Sequence, residues 1–424
     1  MKNIRPILIV IVFAVVGLFA KAQVAQKQIS YTSFSARIMT IDGDVLTGII
    51  GFGQKRVTKT SIFSAFLAAN KNTNYVPDEM LKERSNYSKN ITHWRFGVPS
   101  KKRVLVNYQP PFQCAFGYIK SIEVQKKEVL LSLINNQKLS LVPRKGNLSL
   151  YVYLTNELQG TRKIKWSRIK SIEFISTKEE DVKEKGDLLF GTVETTNGNF
   201  TGLIAWDEQE QFLTDVFNGR NNGKPMKIPF KNIQSIEKQG NTGIVCLFNG
   251  DLYKLSSDIK ELFTDFGNDV GNDNRGISVT NNQNGRVTVK WDSFLKINFL
   301  KELESLVDSR NNYSDSIKPI RAAVVSSENV LYKGDIIFNL SQELNIEYVN
   351  GFDSSGLYYQ IPFSSIKAIR RSNDASSTIR LRNNSVVELF NSKEVDNRND
   401  GVVIIQESNF KYLPWNNIHE IFIK

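Results

Sequence analysis

The sequence predicts an all-β protein made of six small barrel-like modules arranged as three pairs, with a partly helical insert in the first module. Three observations predict it. The first is a motif repeated six times, an aromatic residue followed at steps of three by two further apolar ones. Its copies are Phe116/Ile119/Ile122, Trp166/Ile169/Ile172, Phe230/Ile233/Ile236, Trp291/Phe294/Ile297, Phe363/Ile366/Ile369 and Trp415/Ile418/Ile421. Self-similarity at a fixed period decides architecture before any local reading, and the alternation of Phe and Trp groups the copies in pairs. The second is a turn signature in the later member of each pair: Leu133/Asn135/Asn136/Leu141, Leu247/Asn249/Gly250/Leu255 and Leu381/Asn383/Asn384/Leu389. Asn-Gly and Asn-Asn tolerate the positive φ that a two-residue hairpin turn requires. The third is alternation: in Val287-Thr-Val289-Lys-Trp291 every second residue is apolar, the pattern of a half-buried strand.

Taken in chain order, the first element is a processing signal over residues 1–22. Lys2 and Arg5 form a charged n-region, Ile7 to Ala20 is apolar, and Ala20-Lys21-Ala22 is an A-x-A-like cleavage site. The apolar run falls short of the roughly 20 residues that span a bilayer; the alternative is a retained anchor. No cysteine lies near the cleavage point, so no lipoprotein is expected, and no later stretch reads as a transmembrane helix. The mature chain is therefore expected to be exported: periplasmic, outer-membrane-associated or extracellular.

The first repeat pair is read over 30–175, the second over 188–299 and the third over 320–424. The first member of each pair opens on a hairpin: Ile38 and Thr40 before Asp42-Gly43, Val193 and Thr195 before Asn197-Gly198, Val324 and Ser326 before Glu328-Asn329. The third copy lacks the turn glycine, so a looser turn is expected there. Each module closes with a strand, a 3₁₀ turn in which residues three apart eclipse, and a short last strand. Pro229, Pro362 and Pro414 precede the lead aromatic, a position suited to a strand end because proline donates nothing to a ladder. The charged, turn-rich stretch 176–187 reads as a linker. Leu300, Leu303, Leu306 and Val307 are spaced for a short amphipathic helix.

Residues 53–112 are inserted into the first pair. Within them Pro77-Asp78-Glu79-Met80-Leu81 reads as a helix start, with Pro at the first helical position and acids in the first turn. The formal charge of the chain is +12. Lys2, Arg5 and Lys21 leave with the signal, and residues 54–103, with eleven Lys/Arg against Asp78, Glu79 and Glu83, hold nearly all of the excess that remains. A localised basic segment suits an acidic partner.

Strand, hairpin, 3₁₀ turn and closing strand in 50–60 residues resembles the small barrels of the Sm, SH3 and PRC families, and Ile-Pro-Phe-x-x-Ile-x-x-Ile at 228–236 and 361–369 resembles a PRC-barrel ending. The overall pattern is similar to uncharacterised secreted bacterial repeat proteins. The resemblance implies a small closed sheet and no particular activity. The RNA-binding loop residues of the Sm family are not recognisable, so nucleic acid is not an expected partner. A six-bladed propeller is the alternative architecture. An outer-membrane barrel needs longer unbroken alternation than these strands offer.

Candidate sites are few. Cys114, Cys246, His93 and His419 are scattered singly, so no zinc spacing exists. The two cysteines, at non-equivalent positions, read as buried free thiols rather than a disulfide. No G-x-S-x-G elbow and no phosphate-cradling loop occurs. Asp207, Glu208, Glu210 and Asp215 carry the oxygens of acid–base chemistry or of calcium binding, yet without EF-hand spacing they read as a solvated turn. Asp265, Asp269 and Asp273 lie in a second acidic loop, where Asn274-Arg275-Gly276 is partly echoed by Asn397-Arg398-Asn399-Asp400-Gly401. The lead tryptophans read as core. Trp94, beside His93 and Arg95, is the best exposed contact.

The function expected from the sequence is an exported, non-catalytic binding or scaffold protein of the bacterial cell envelope. It would touch an acidic polymer or protein through Arg84, His93, Trp94, Arg95, Lys101, Lys102 and Arg103, with no metal or cofactor. The alternative is a hydrolase of an envelope polymer using the loop carboxylates.

Overall fold

The structure, a computed structural model, describes residues 34–53, 55–84, 86–95, 98–125, 127–156, 158–175, 188–257, 269–281, 283–300, 317–407 and 409–424, with backbone alone at 55, 93–95 and 98–100. The signal segment, the 176–187 linker, Asp265 and Leu303, Leu306 and Val307 of the expected amphipathic helix lie outside them. The described residues are mostly antiparallel β-sheet, with one α-helix, Asp78–Lys82. None of their helices is long and apolar enough to cross a membrane.

Alternation builds strands such as the first, but Gly285–Val289, read as half-buried, is buried along its whole length, where a second strand, Tyr358–Pro362, covers its other edge. In Ser35–Thr40 the buried residues are Ala36, Ile38 and Thr40. The chain turns at Gly43 (φ 93°) and returns as Val45–Phe52. The signature turns place Asn136, Gly250 and Asn384 in the left-handed region (φ 67°, 91° and 67°). The turn that lacks glycine is no looser than its counterparts. Asn329 supplies φ 61° itself, and its amide donates to Ser326 O at 3.0 Å, as Gly43 N does to Thr40 O at 3.1 Å. Asparagine tolerates this conformation because its short polar side chain bonds locally.

All six lead aromatics are buried, from 0% exposure at Phe230 and Phe363 to 7% at Trp166. Five open a 3₁₀ turn, over Phe116–Tyr118, Trp166–Arg168, Phe230–Asn232, Phe363–Ser365 and Trp415–Asn417. At Trp291 the turn is held by Phe294 N donating to Trp291 O at 3.2 Å. The strand after each turn carries the pairing of modules. The closing strands of the two members lie antiparallel and match at the last isoleucine of the motif: Ile122 with Ile172, Ile236 with Ile297, Ile369 with Ile421.

The first sheet runs Lys138–Leu141, Val129–Leu133, Ile119–Val124, Ile169–Ile175, Ser35–Thr40, Val45–Phe52, Val152–Asn156, Gly160–Ile164. The same order recurs from Leu252–Ser256 to Gly285–Val289. It recurs again from Val386–Phe390 to Asn409–Leu413. Gly285–Val289 pairs with Tyr358–Pro362 and fuses the last two copies into one 20-stranded sheet. Among the described residues no sheet closes into a barrel, because each closing strand pairs with its partner module's closing strand. Separate propeller blades are not seen either among the described residues, since the two modules of each pair share one sheet and the last two pairs are fused.

A hairpin equivalent to Val216–Asn221/Lys224–Pro229 and Tyr348–Phe352/Tyr358–Pro362 exists in the first module as Ile62–Phe66 paired with Pro111–Ala115. The insertion therefore occupies that hairpin's loop, roughly 67–110, and is narrower than 53–112. It holds a 3₁₀ turn (Lys71–Tyr75), the Asp78–Lys82 helix and a second hairpin, Ser88–Arg95 with Val98–Leu105. Its base is not a decoration. Val76, Leu81 and Tyr87 bury against Ile337, Leu340 and Val403 of the third pair. Leu344 and Ile346 of that pair enter the first core. Cys114 is buried in that core, whereas Cys246 is half-exposed, so only one of the two thiols is buried as expected; both are free.

Candidate functional site

The basic hairpin Ser88–Arg95/Val98–Leu105 gathers most of the expected contact residues. Its two strands pair only with each other among the described residues. Lys89, Lys101, Lys102 and Arg103 are exposed on it. Opposite residues of an antiparallel pair share a face. Register sets Lys89 against Val104 and Ile91 against Lys102, while Asn90 faces Arg103 and Thr92 faces Lys101. Both faces are therefore basic. His93, Trp94 and Arg95 lie in the same strand, opposite Ser100, Pro99 and Val98; their side chains are outside the described residues. Arg84 is not on this arm. Its Nη1 donates to Asn399 O at 3.1 Å, which makes it a strut to the third pair. Of the tyrosines near these charges, Tyr87 is internal and Tyr108 half-buried. Tyr87 is 1% exposed. Its ring meets Tyr108 edge-on with centroids 4.9 Å apart, and the Lys393 ammonium lies 4.7 Å from the Tyr108 ring centre.

A second constellation is carboxylic. Trp206–Glu210 is a tight turn closed by Trp206 N donating to Glu210 O at 2.8 Å, with Asp207 and Glu208 at left-handed φ (47° and 59°). The turn brings Asp207 and Glu210 to Asp269, with one carboxylate oxygen from each mutually within 4.8 Å. The solvated turn expected from the sequence is not what forms: Asp207 is 0% and Asp269 1% exposed. The Arg275 amide and guanidinium both donate to Asp207, the Nε at 3.0 Å. Asp269 Oδ2 accepts from Asn218 N and Nδ2. Asp269 Oδ1 and Glu210 Oε2 are buried with no hydrogen-bond partner among the described residues. Burial, then the neighbouring Asp269 and Asp207, push Glu210 up to about 9. Burial raises Asp269 to about 7 against the two Asn218 bonds. Glu208 turns to another network, with Arg286 and Thr288. Asp215 caps the amides of Gln211 and Phe212 and pairs with Arg56.

Equivalent positions in the other pairs follow from matching hydrogen bonds. Phe212 N donates to Asp215, Leu344 N to Glu347 and Thr58 N to Ser61, at 3.0, 2.9 and 3.0 Å. Asp207 and Glu210 thus correspond to Asn339 and Gln342 in the third pair, and to Gly53 and Arg56 in the first. Asn274 Nδ2 donates to Asp269 O as Asn399 Nδ2 does to Glu394 O. Arg275 therefore corresponds to Asp400, and the echo read from the sequence, which set Arg275 beside Arg398, is shifted by two residues.

No family model and no curated protein matches the chain. Among solved structures, one described as a streptogramin B lyase structure aligns with 72% of this chain and 94% of that one, at 9% identity and a TM-score of 0.12, a likeness that carries no argument.

Proposed function

We propose that this is an exported, non-catalytic binding or scaffold protein of the bacterial cell envelope that contacts an acidic polymer or protein through the 88–105 hairpin. The six modules, in three pairs, are the frame, and the insert is the contact. The observation that carries the reading is the hairpin itself. Two strands without a sheet neighbour present Lys89, Lys101, Lys102 and Arg103 to solvent, and none of the four has an acidic partner among the described residues. Unneutralised charge at a projecting element steers an opposite charge toward it. Export rests on the charged start, the apolar run and the cleavage-like Ala20-Lys21-Ala22. A hydrolase built on the loop carboxylates is less well supported, since Asp207 and Asp269 are shut away from a polymer in solution.

The test is co-sedimentation of the mature protein with purified envelopes. The intact protein should pellet at low salt and stay in solution at high salt, because exposed charges are screened within about 8–10 Å at physiological ionic strength. A variant carrying Lys101→Glu, Lys102→Glu and Arg103→Glu should stay in solution at both. If that variant pellets as the intact protein does, the hairpin is not the contact.

A further inference from the structure

The basic hairpin leaves the buried carboxyl cluster of the second repeat pair unexplained. A carboxylate out of water is strongly unfavourable unless something neutralises it. Asp269 Oδ1 is enclosed without a hydrogen-bond donor among the described residues, and Glu210 Oε2, on a half-buried side chain, is in the same condition. We propose that Asp207, Glu210 and Asp269 form a binding site for a divalent cation of the calcium class.

Geometry fits the ion. Calcium takes six to eight oxygens at about 2.3–2.6 Å. Two ligands on opposite sides of one ion then lie about 4.6–5.2 Å apart, and the three carboxylates offer oxygens all within 4.8 Å. Magnesium takes its oxygens at about 2.0–2.1 Å in a stricter octahedron and keeps several of its waters, which suits an enclosed site less well. Charge fits as well. Arg275 is the cation facing the cluster, and its guanidinium is held on Asp207. Arg56 is taken by Asp215 and Arg286 by Glu208. Three carboxylates less one guanidinium leave two negative charges, which one divalent cation balances.

The chain carries its own comparison. In the third pair Asn339 and Gln342 replace Asp207 and Glu210. There the amides carry no charge: Gln342 Nε2 donates to Tyr348 O and Asn339 Oδ1 accepts from Asp400 N at 2.9 Å, while Gln342 Oε1, like Glu210 Oε2, is buried without a donor among the described residues. In the first pair the two positions are Gly53 and Arg56. The same backbone turn thus forms in the second and third pairs, Phe338 N donating to Gln342 O as Trp206 N does to Glu210 O, and within the turn itself the second pair has acids where the third has amides. The turn itself does not require them. An ion there would tie the 207–210 turn to the 269–276 loop, beneath Trp206, whose indole Nε1 donates to Asp269 O at 2.9 Å.

The experiment titrates calcium into chelator-treated mature protein, followed by calorimetry and thermal unfolding, with terbium emission sensitised by Trp206 as a local readout. One ion should bind per chain, calcium should displace terbium, and the melting temperature in calcium should exceed that in EDTA by several degrees. Magnesium should do far less. The double variant Asp207→Asn/Glu210→Gln, which installs the residues of the third pair, should bind no calcium and melt alike in calcium and EDTA. Trp206→Phe should abolish most of the terbium emission while calcium still binds. If the intact protein takes up no calcium and melts alike in both buffers, the carboxyls are simply protonated and the proposal falls. It falls equally if the double variant binds calcium as tightly as the intact chain. The intact protein decides the first point alone, so a variant that fails to fold does not shield the idea.

Discussion

Asn72 Nδ2 donates to Glu343 Oε1 at 2.7 Å, joining two residues 271 positions apart. The bond ties the insert of the first module to the third repeat pair, and it sits beside the cluster in which Tyr87 and Leu81 pack on Leu340 and Val403. Leu340 itself holds a left-handed φ of 53°, a conformation that disfavours a bulky side chain.

The insert should therefore stabilise the body of the protein. Tyr87→Ala removes a ring that is 1% exposed and contacts the third pair. A loss of about 3 kcal/mol is expected, in the range for large aromatic truncations, measured by urea unfolding. Hydrogen exchange should quicken at 337–340 and 402–405. Exchange that quickens only within 67–110 would show that the contact carries no stability.

The lead tryptophans differ in one respect. Trp291 Nε1 donates to Gly240 O at 2.9 Å, whereas the Nε1 of Trp415 is buried without a partner among the described residues. Both lose ring volume on change to phenylalanine, yet only Trp291→Phe also strands an acceptor. Trp291→Phe should be more destabilising than Trp415→Phe by about 1 kcal/mol, and equal losses in denaturant melts would refute it.

Gly334 sits where Ile405 crosses. A Cβ there would lie 2.2 Å from Ile405 O, so the neighbouring strand would have to move. Gly334→Ala should destabilise by more than about 2 kcal/mol, read as a fall in melting temperature. Gly48 and Gly202, at 2.4 Å from Thr155 O and Thr280 O, should behave alike.

Glu347 is enclosed between the first core and the third pair, and burial pushes its carboxyl up from 4.5 to about 8 despite amides donated by Glu343 and Leu344. Its folded form thus holds a proton that the unfolded form has released between these values. Stability should fall as pH rises from 4.5 to 8 and level off above, with a slope approaching ~1.4 kcal/mol per pH unit from this group. Glu347→Gln keeps the acceptor for both amides and removes the proton, so its stability should vary less with pH over that window. Identical pH profiles for variant and parent would overturn the assignment.

Much of the local structure was legible in the residues. The steps of three after each aromatic announce a 3₁₀ turn because that helix has three residues per turn. Asn-Asn and Asn-Gly announce hairpins because few other residues accept positive φ. These are short-range steric facts, and the burial of Trp166, Trp291 and Trp415 follows from their repeated place on an alternating strand. The candidate site was legible only in part. Lys101, Lys102 and Arg103 stand exposed as their charge run suggested, while Arg84, in the same run, turned inward to Asn399.

What the sequence determined by itself was the all-β character, the six closing motifs and their grouping in twos. All depend on neighbours within a few positions, where backbone sterics and alternation suffice. What only the tertiary structure decided was which edges meet. Closing strands pair across modules instead of shutting barrels, the insert lies on a repeat pair more than 200 residues downstream, and Asp269 comes to Asp207 and Glu210 from another loop. Such contacts are selected by the shared burial of many side chains, and no spacing along the chain records which distant surface a given face will cover.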